Sequence, residues 1–293
     1  MKRMIFVLLA VLCFMPFASA GAEDIGQVTI AVIDTGIAEK NSLLDYAHIL
    51  SGISYVDGIS SCRDRLGHGT AIAGILQEYA PGASLLPMMY YTKYASGVPQ
   101  SGGIKAICRA IYDAVDSYQC KIINISSGIY TEDEELKAAI EYAESKNVIV
   151  VSAVGNDNKV EGGRVYYPAA YPTVIGVGAV DADENIADFS QRNSSVMAVM
   201  PGVDVEVVSI KNSEDYTEVS GTSYASAAVC GIAAEAAGRY PKITPEALRT
   251  LIKLSCRDLG TPGYDVSYGY GILDKDLLLK NLERLRDGAL SLM

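Results

Sequence analysis

Four short, nearly unbroken apolar runs limit the fold more than any other feature of this chain: VTIAVID (28–34), KIINIS (121–126), NVIVVSAV (147–154) and TVIGVGAV (173–180). A strand with one wet face alternates apolar and polar residues, whereas a strand without alternation must be covered on both faces, as in a parallel sheet. Parallel strands need long crossovers, and the segments between these runs read as helices. In TEDEELKAAIEYAESK (131–146), Leu136, Ala139, Ile140 and Ala143 recur at helical spacing, with Thr131 and Glu134 spaced as a capping box. GGIKAICRAIYDAVDS (102–117) puts Ile104, Ile107, Ile111 and Ala114 or Val115 on one helical face. GRYPKITPEALRTLIKLS (238–255) reads as helix, turn and helix, with Pro245 at the second start. Strands alternating with helices, without a Pro- or Ser-rich linker, predict an α/β fold over residues 21–293. That fold is a doubly wound, mostly parallel sheet with helices on both faces, in a single domain.

Residues 1–20, MKRMIFVLLAVLCFMPFASA, stand apart. Lys2 and Arg3 precede an apolar run from Met4 to Phe14 that is too short to span a bilayer, Pro16 follows, and Ala18-Ser19-Ala20 offers a cleavage site. A signal peptide and an exported chain are expected. Losing Lys2 and Arg3, the only charges of that segment, takes the net charge from −11 to −13. So acidic a surface argues against nucleic acid and anionic membrane as partners. Five cysteines then remain: Cys62, Cys108, Cys120, Cys230 and Cys256. The odd count leaves at least one free thiol or an intermolecular bond, and the lack of C-x-x-C spacing argues against zinc. Export permits one disulfide without indicating its pair.

Doubly wound sheets place ligands at the carboxyl ends of their strands. Asp34 closes the first strand there, ahead of a Thr35-Gly36 turn. Of the two histidines, His48 in LLDYAHILSG reads as structural or surface-exposed, while His68 lies between Gly67 and Gly69 at the head of a small-residue helix. Glycines on both sides leave an imidazole uncovered. VSAVGNDN (151–158) delivers Gly155 and Asn156 to a strand end, where an amide can donate to a developing oxyanion. In VSGTSYASAAVCG (219–231), Ser223 can be a helix cap or a nucleophile. Singly, each residue has an ordinary structural reading. The lack of a phosphate loop with Lys, and of GxGxxG after the first strand, argues against nucleotide binding.

Asp-Thr-Gly, Gly-His-Gly-Thr, Gly-Asn and Gly-Thr-Ser-x-Ala follow one another, each at a strand end or helix start. On these motifs the chain resembles the subtilisin-like serine proteases, the subtilases (peptidase S8), from about Val28 to Asp274. YPAAYPTVIGVGAVDADENIADFS, PGVDVEVVS and GYGILD extend the likeness. The resemblance implies a subtilisin-like fold and an exported, monomeric serine endopeptidase acting on peptide or protein through an acyl-enzyme. It implies Ser223 as nucleophile, His68 as general base and acid, and Asp34 as the group orienting His68. Asn156 and the Ser223 N–H would form the oxyanion hole. Substrate would lie against Ser101-Gly102-Gly103, Ser126-Ser127-Gly128 and Ala153-Val154-Gly155, with Tyr166 at the floor of the pocket for the residue before the cut. A glycine is common at that floor in the family, so Tyr166 implies preference for small residues such as Ala or Ser.

Three features depart from the family pattern. Ala227 and Ala228 stand where many members carry Pro and His. Only about a dozen residues separate Ala20 from the end of the first strand at Asp34, and no folding prodomain is expected to fit there. GTAIAGILQEYAPGASLLPMM lacks the extended loop of calcium-binding relatives, so no cofactor or metal is expected, with calcium absent or weakly bound. Two alternatives follow: a processing protease dedicated to one partner peptide, and an inactive subtilase-fold binding protein.

Overall fold

The computed structural model describes residues 28–160, 162–212 and 214–292, and the expected export segment lies outside them. In chain order come β1 (Thr29–Asp34), β2 (Ile53–Ser54), α1 (His68–Tyr79), β3 (Ser84–Met89), β4 (Tyr91–Lys93), β5 (Pro99–Ser101), α2 (Gly103–Asp116), β6 (Ile122–Ile125), α3 (Glu134–Ser145) and β7 (Ile149–Ala153). They are followed by β8 (Ile175–Val180), β9 (Ala198–Pro201), β10 (Val205–Val208), β11 (Tyr216–Val219), α4 (Thr222–Arg239), α5 (Pro245–Leu254), β12 (Cys256–Arg257), β13 (Ile272–Leu273) and α6 (Lys275–Arg286).

Nine strands form one sheet in the order β12-β13-β9-β8-β7-β6-β1-β3-β2. Every neighbouring pair is parallel except β12 with β13. The unbroken apolar runs are the middle strands, and their alternate residues feed opposite cores. Ile30 and Val32 of β1 join the core under α1, α4, α5 and α6. Ala31 and Ile33 join the core under α2 and α3. The sheet is therefore doubly wound, as its strand composition requires. From β1 the chain runs to β3 on one side and later to β6 on the other, so the crevice at the carboxyl ends of β1 and β6 is the switch point.

Helix ends follow local chemistry. The α3 cap differs from the sequence expectation. Asp133, not Thr131, is the cap, its carboxylate accepting from the Leu136 N–H. An anion adjoining the helix serves the dipole and the orphan N–H together. Thr244 caps α5, and Pro245 takes its first turn as expected. The helix α4 is unlike the others, since all its residues but Tyr224 and Arg239 are buried. Such a helix must be apolar on every side, and its many alanines let neighbouring elements approach closely. Ala227 and Ala228 are part of that buried surface.

The five cysteines of the described residues are all free thiols, so the one disulfide that export permits does not form among them.

A charged clamp joins the two helical layers. Arg249 of α5 donates to both Glu144 carboxylate oxygens of α3, at 2.7 and 3.0 Å, and to the Thr173 carbonyl at 2.8 Å. The pair is largely sheltered from water, and a bidentate charged bond of this kind is among the stronger polar contacts. Arg249→Ala should lower unfolding stability by about 1–3 kcal/mol, the cost of stranding the partly buried Glu144. Urea denaturation checks this, and a midpoint equal to wild type would show that the clamp contributes nothing net.

Candidate active site

The expected residues converge on the switch point. Asp34 ends β1, buried, with its Oδ1 accepting the Thr35 N–H at 2.7 Å. His68 opens α1, and its Nδ1 lies 2.8 and 3.0 Å from the two Asp34 oxygens. Gly69 allows this approach: a Cβ there would meet the Gly36 carbonyl oxygen at 2.1 Å and drive α1 away from the turn after β1. His48 belongs to a short 3-10 turn at the surface, 3.8 Å from Asp45 and away from this group.

Ser223 is the second residue of α4 and is buried. It does not cap the helix. Gly221 holds the cap position without a side-chain bond, and the Ser223 hydroxyl donates instead to the Ser126 carbonyl at 3.0 Å. In return the Ser126 hydroxyl donates to the Ser223 carbonyl at 3.3 Å. The start of α4 is thus stitched to the residue just past β6. Asn156 follows β7, and its Oδ1 accepts from both the N–H and the hydroxyl of Thr222 at 2.9 Å. With its oxygen so engaged, the Asn156 Nδ2 makes no hydrogen bond among the described residues. It lies beside the amino end of α4, whose first N–H groups also lack partners within the helix.

Tyr166 lies between the two expected walls. A Cβ added at Gly128 would come within 3.1 Å of its ring, and one at Gly155 within 3.2 Å. The ring of Tyr130 packs on it with centroids 4.8 Å apart, and the Arg164 guanidinium sits 4.2 Å from the Tyr130 centroid. The Tyr130 hydroxyl donates to Asp157, closing the cluster. Burial raises the Tyr166 phenol pKa, with the Gly128 backbone opposing. Ser101, Gly102 and Gly103 lie further out at the end of β5. There the Gly102 N–H donates to the Tyr90 carbonyl, while the Tyr90 N–H donates to the Asp34 carbonyl.

Asp64 is the main residue that the sequence reading missed. Its buried carboxylate accepts from the Thr35 hydroxyl, the Leu66, Gly67 and Thr70 N–H groups and the Thr70 hydroxyl, at 2.7–3.0 Å. The Thr35 hydroxyl in turn accepts the Gly69 N–H at 2.9 Å. This one carboxylate therefore fixes the loop before His68 and the turn after Asp34 together. The only sequence signal was an acidic residue four positions ahead of the histidine. Tyr224 was missed as well; its ring centroid is 5.6 Å from that of His68.

Electrostatics follow from this packing. Burial works to lower the His68 pKa, but the Asp34 charge and hydrogen bond outweigh it with help from Asp64, and the imidazole stands above its ordinary 6.5. Burial pushes the Tyr224 phenol up to about 12, reinforced by Asp34, so Tyr224 stays neutral beside the imidazole. Asp34→Asn should therefore lower the His68 titration midpoint, because burial then acts with only the weaker Asp64 charge against it. NMR titration of the imidazole reads this directly. A midpoint equal to that of wild type would mean that Asp34 does not govern the proton.

The chain as a whole is similar to known proteins. The sequence model of the subtilase family matches residues 26–271. Subtilisin DY of Bacillus licheniformis is 33% identical over 258 residues, covering 85% of this chain and 89% of that protein. M-protease of Shouchella clausii (strain KSM-K16) is 31% identical over 258 residues, covering 85% of this chain and 63% of its own length. Among solved structures, a lanthipeptide protease aligns with a TM-score of 0.77 at 27% identity, covering 88% of this chain and 90% of the other.

Proposed function

The chain belongs to the subtilase family and is a serine endopeptidase, and from that premise we propose that Ser223, His68 and Asp34 are its catalytic triad. The observation that carries the reading is the buried Asp34 carboxylate bonded to His68 Nδ1 at 2.8 Å, with the ring of Tyr224, the residue after Ser223 in α4, 5.6 Å from the imidazole. Asp34 holds the imidazole in the tautomer with its proton on Nδ1 and leaves Nε2 to act as base. The Ser223 hydroxyl now spends its proton on the Ser126 carbonyl. Substrate that pairs its own N–H with that carbonyl releases the hydroxyl to turn toward His68. Ser223 Oγ then attacks the scissile carbonyl as its proton passes to His68 Nε2. The new oxyanion receives bonds from Asn156 Nδ2 and the Ser223 N–H. Collapse breaks the C–N bond, His68 protonates the leaving amine, and water activated by the same base clears the acyl-enzyme.

We also propose export, supported by the basic start, apolar run and small-residue site of residues 1–20. The substrate is peptide or protein.

A serine-directed fluorophosphonate should label wild type and not Ser223→Ala, while labelling of neither would favour the binding-protein alternative. Ala at Ser223, His68 or Asp34 should each abolish most hydrolysis, with the triple variant scarcely worse than Ser223→Ala because the three act as a unit. Asn156→Leu should lower kcat by roughly 10²–10³ with little change in KM, as expected for a bond that strengthens in the transition state. A change confined to KM would assign Asn156 to substrate binding instead.

The Tyr166 ring supports a narrow pocket for the residue before the cut, since it packs against both Gly128 and Gly155 and is backed by Tyr130. Placing a large side chain there would overpack the site at a cost of roughly 1–3 kcal/mol. This observation favours the more selective reading, a protease that processes few substrates, and the structural likeness to a lanthipeptide protease points the same way. Peptides with Ala or Ser at that position should be cut faster than those with Phe or Leu, casein should survive, and Tyr166→Gly should open the pocket to Phe. Wild-type preference for Phe, unchanged by Tyr166→Gly, would rule the filled pocket out.

A further inference from the structure

On a chain of net charge −11, one cavity beside the site runs against the overall sign. It has a volume of about 600 Å³ and is lined by Lys40, Arg63, Arg65 and the aliphatic Ile210, with Glu39 as its one exposed anion. Asp64 also borders it, but that carboxylate is buried and already accepts five hydrogen bonds. Lys40, Arg63 and Arg65 are exposed and form no ion pair among the described residues. Surface cations of an acidic protein usually have ion-pair partners; these three line one opening without one among the described residues, and with Glu39 and Asp64 counted the lining keeps a net positive charge.

The frame of the cavity is rigid. Asn41 Nδ2 donates to the Ser209 carbonyl at 2.9 Å, tying the segment after β1 to the β10–β11 hairpin. The Ile37 N–H donates to the Cys62 carbonyl at 3.0 Å, and the Asp64 N–H to the Ile37 carbonyl at 3.2 Å, tying it to the loop before His68.

Ile210 also borders a second cavity, of about 270 Å³, which includes Leu66, His68, Tyr224 and Lys211. The exposed Lys211 is likewise without an ion pair among the described residues. The two cavities share Ile210 as a common wall, so a track of side chains leads from the His68 imidazole past Leu66 and Ile210 to the cations. None of the residues assigned to the pocket before the cut lines either cavity. Because His68 hands its proton to the leaving amine, the part of the substrate after the cut departs on this side.

We propose that the track binds acidic side chains of the substrate on the leaving-group side, so that the enzyme prefers peptides with Asp or Glu a few residues after the scissile bond. The inference rests on the triad reading above, and it gives that reading a substrate class. Exposed charge pairs are individually weak, so selection is graded and depends on ionic strength.

The test uses quenched fluorescent peptides that share Ala before the cut and carry Glu, Gln or Lys at the second to fourth positions after it. At low salt kcat/KM should fall in that order, by about two- to fivefold for each charge that finds a partner. The spread should shrink as salt is added. Arg63→Glu with Arg65→Glu should bring the Lys peptide level with or above the Glu peptide, and Lys40→Glu alone should narrow the gap. Equal rates for the three peptides at low salt overturn the proposal and leave the triad reading intact. An acidic preference that survives charge reversal also overturns it. For peptides that bind without being cut, protection of Ser223 from the fluorophosphonate should follow the same order, and equal protection again overturns the proposal. Absence of both hydrolysis and probe labelling sinks the triad reading, and this inference with it.

Discussion

Burial of α4 is the constraint from which the site follows. A helix surrounded by sheet and helices has no solvent to satisfy its ends, so its first N–H groups must emerge where something polar waits. In this fold the exit is the carboxyl edge of β6 and β7. There Asn156 accepts the Thr222 N–H, and Ser126 exchanges bonds with Ser223. The polar groups that complete the helix end are therefore the ones the proposed chemistry needs, and packing and the proposed catalysis ask for the same alignment.

Two buried carboxylates divide the electrostatic work. Asp64 has its lone pairs filled by N–H and hydroxyl donors of its own loop, the turn after β1 and the first turn of α1, which makes it a structural anchor. Asp34 receives one backbone bond and keeps both oxygens within reach of His68. A carboxylate that is already saturated holds geometry, while one with spare acceptor capacity can respond to a proton on its neighbour. Asp64 stands only four positions before His68, so fixing Asp64 also fixes the angle at which His68 meets Asp34.

Much of this was legible in the chain. The unalternating runs announced a sheet covered on both faces, because only burial on both sides tolerates such composition. Asp34, His68, Asn156 and Ser223 stood out because each of these polar residues sits beside glycine or a small residue at an element boundary. Asp64 did not stand out, since an aspartate between two arginines reads as part of a solvated loop, and only the closure of that loop over Thr70 and Thr35 buries it. The α3 cap slipped by two residues because Thr131 and Asp133 both suit the position, and the backbone turn decides between them. The support behind Tyr166 was unreadable for another reason: Tyr130 comes from the loop between β6 and α3, Asp157 and Arg164 from the one between β7 and β8, and the two meet only in the folded protein. The cationic cavity was hidden in the same way, its charges being scattered among an excess of acidic residues.

The free thiols carry a consequence of their own. Burial raises Cys62 and Cys108 to about 11 and Cys120 and Cys256 to about 12. Cys230, inside α4, is raised as well. A thiol held protonated is a poor nucleophile, so none of the five readily enters exchange with an external disulfide while the fold is closed. Each also sits in a different part of the structure: the loop before α1, α2, the lead into β6, α4 and β12. Cys62 and Cys256 are half-buried, but alkylation at the buried Cys108, Cys120 and Cys230 requires that their own surroundings open. Those three thiols are chemical clocks, and the order in which they are struck would record the order in which α2, the lead into β6 and α4 come apart.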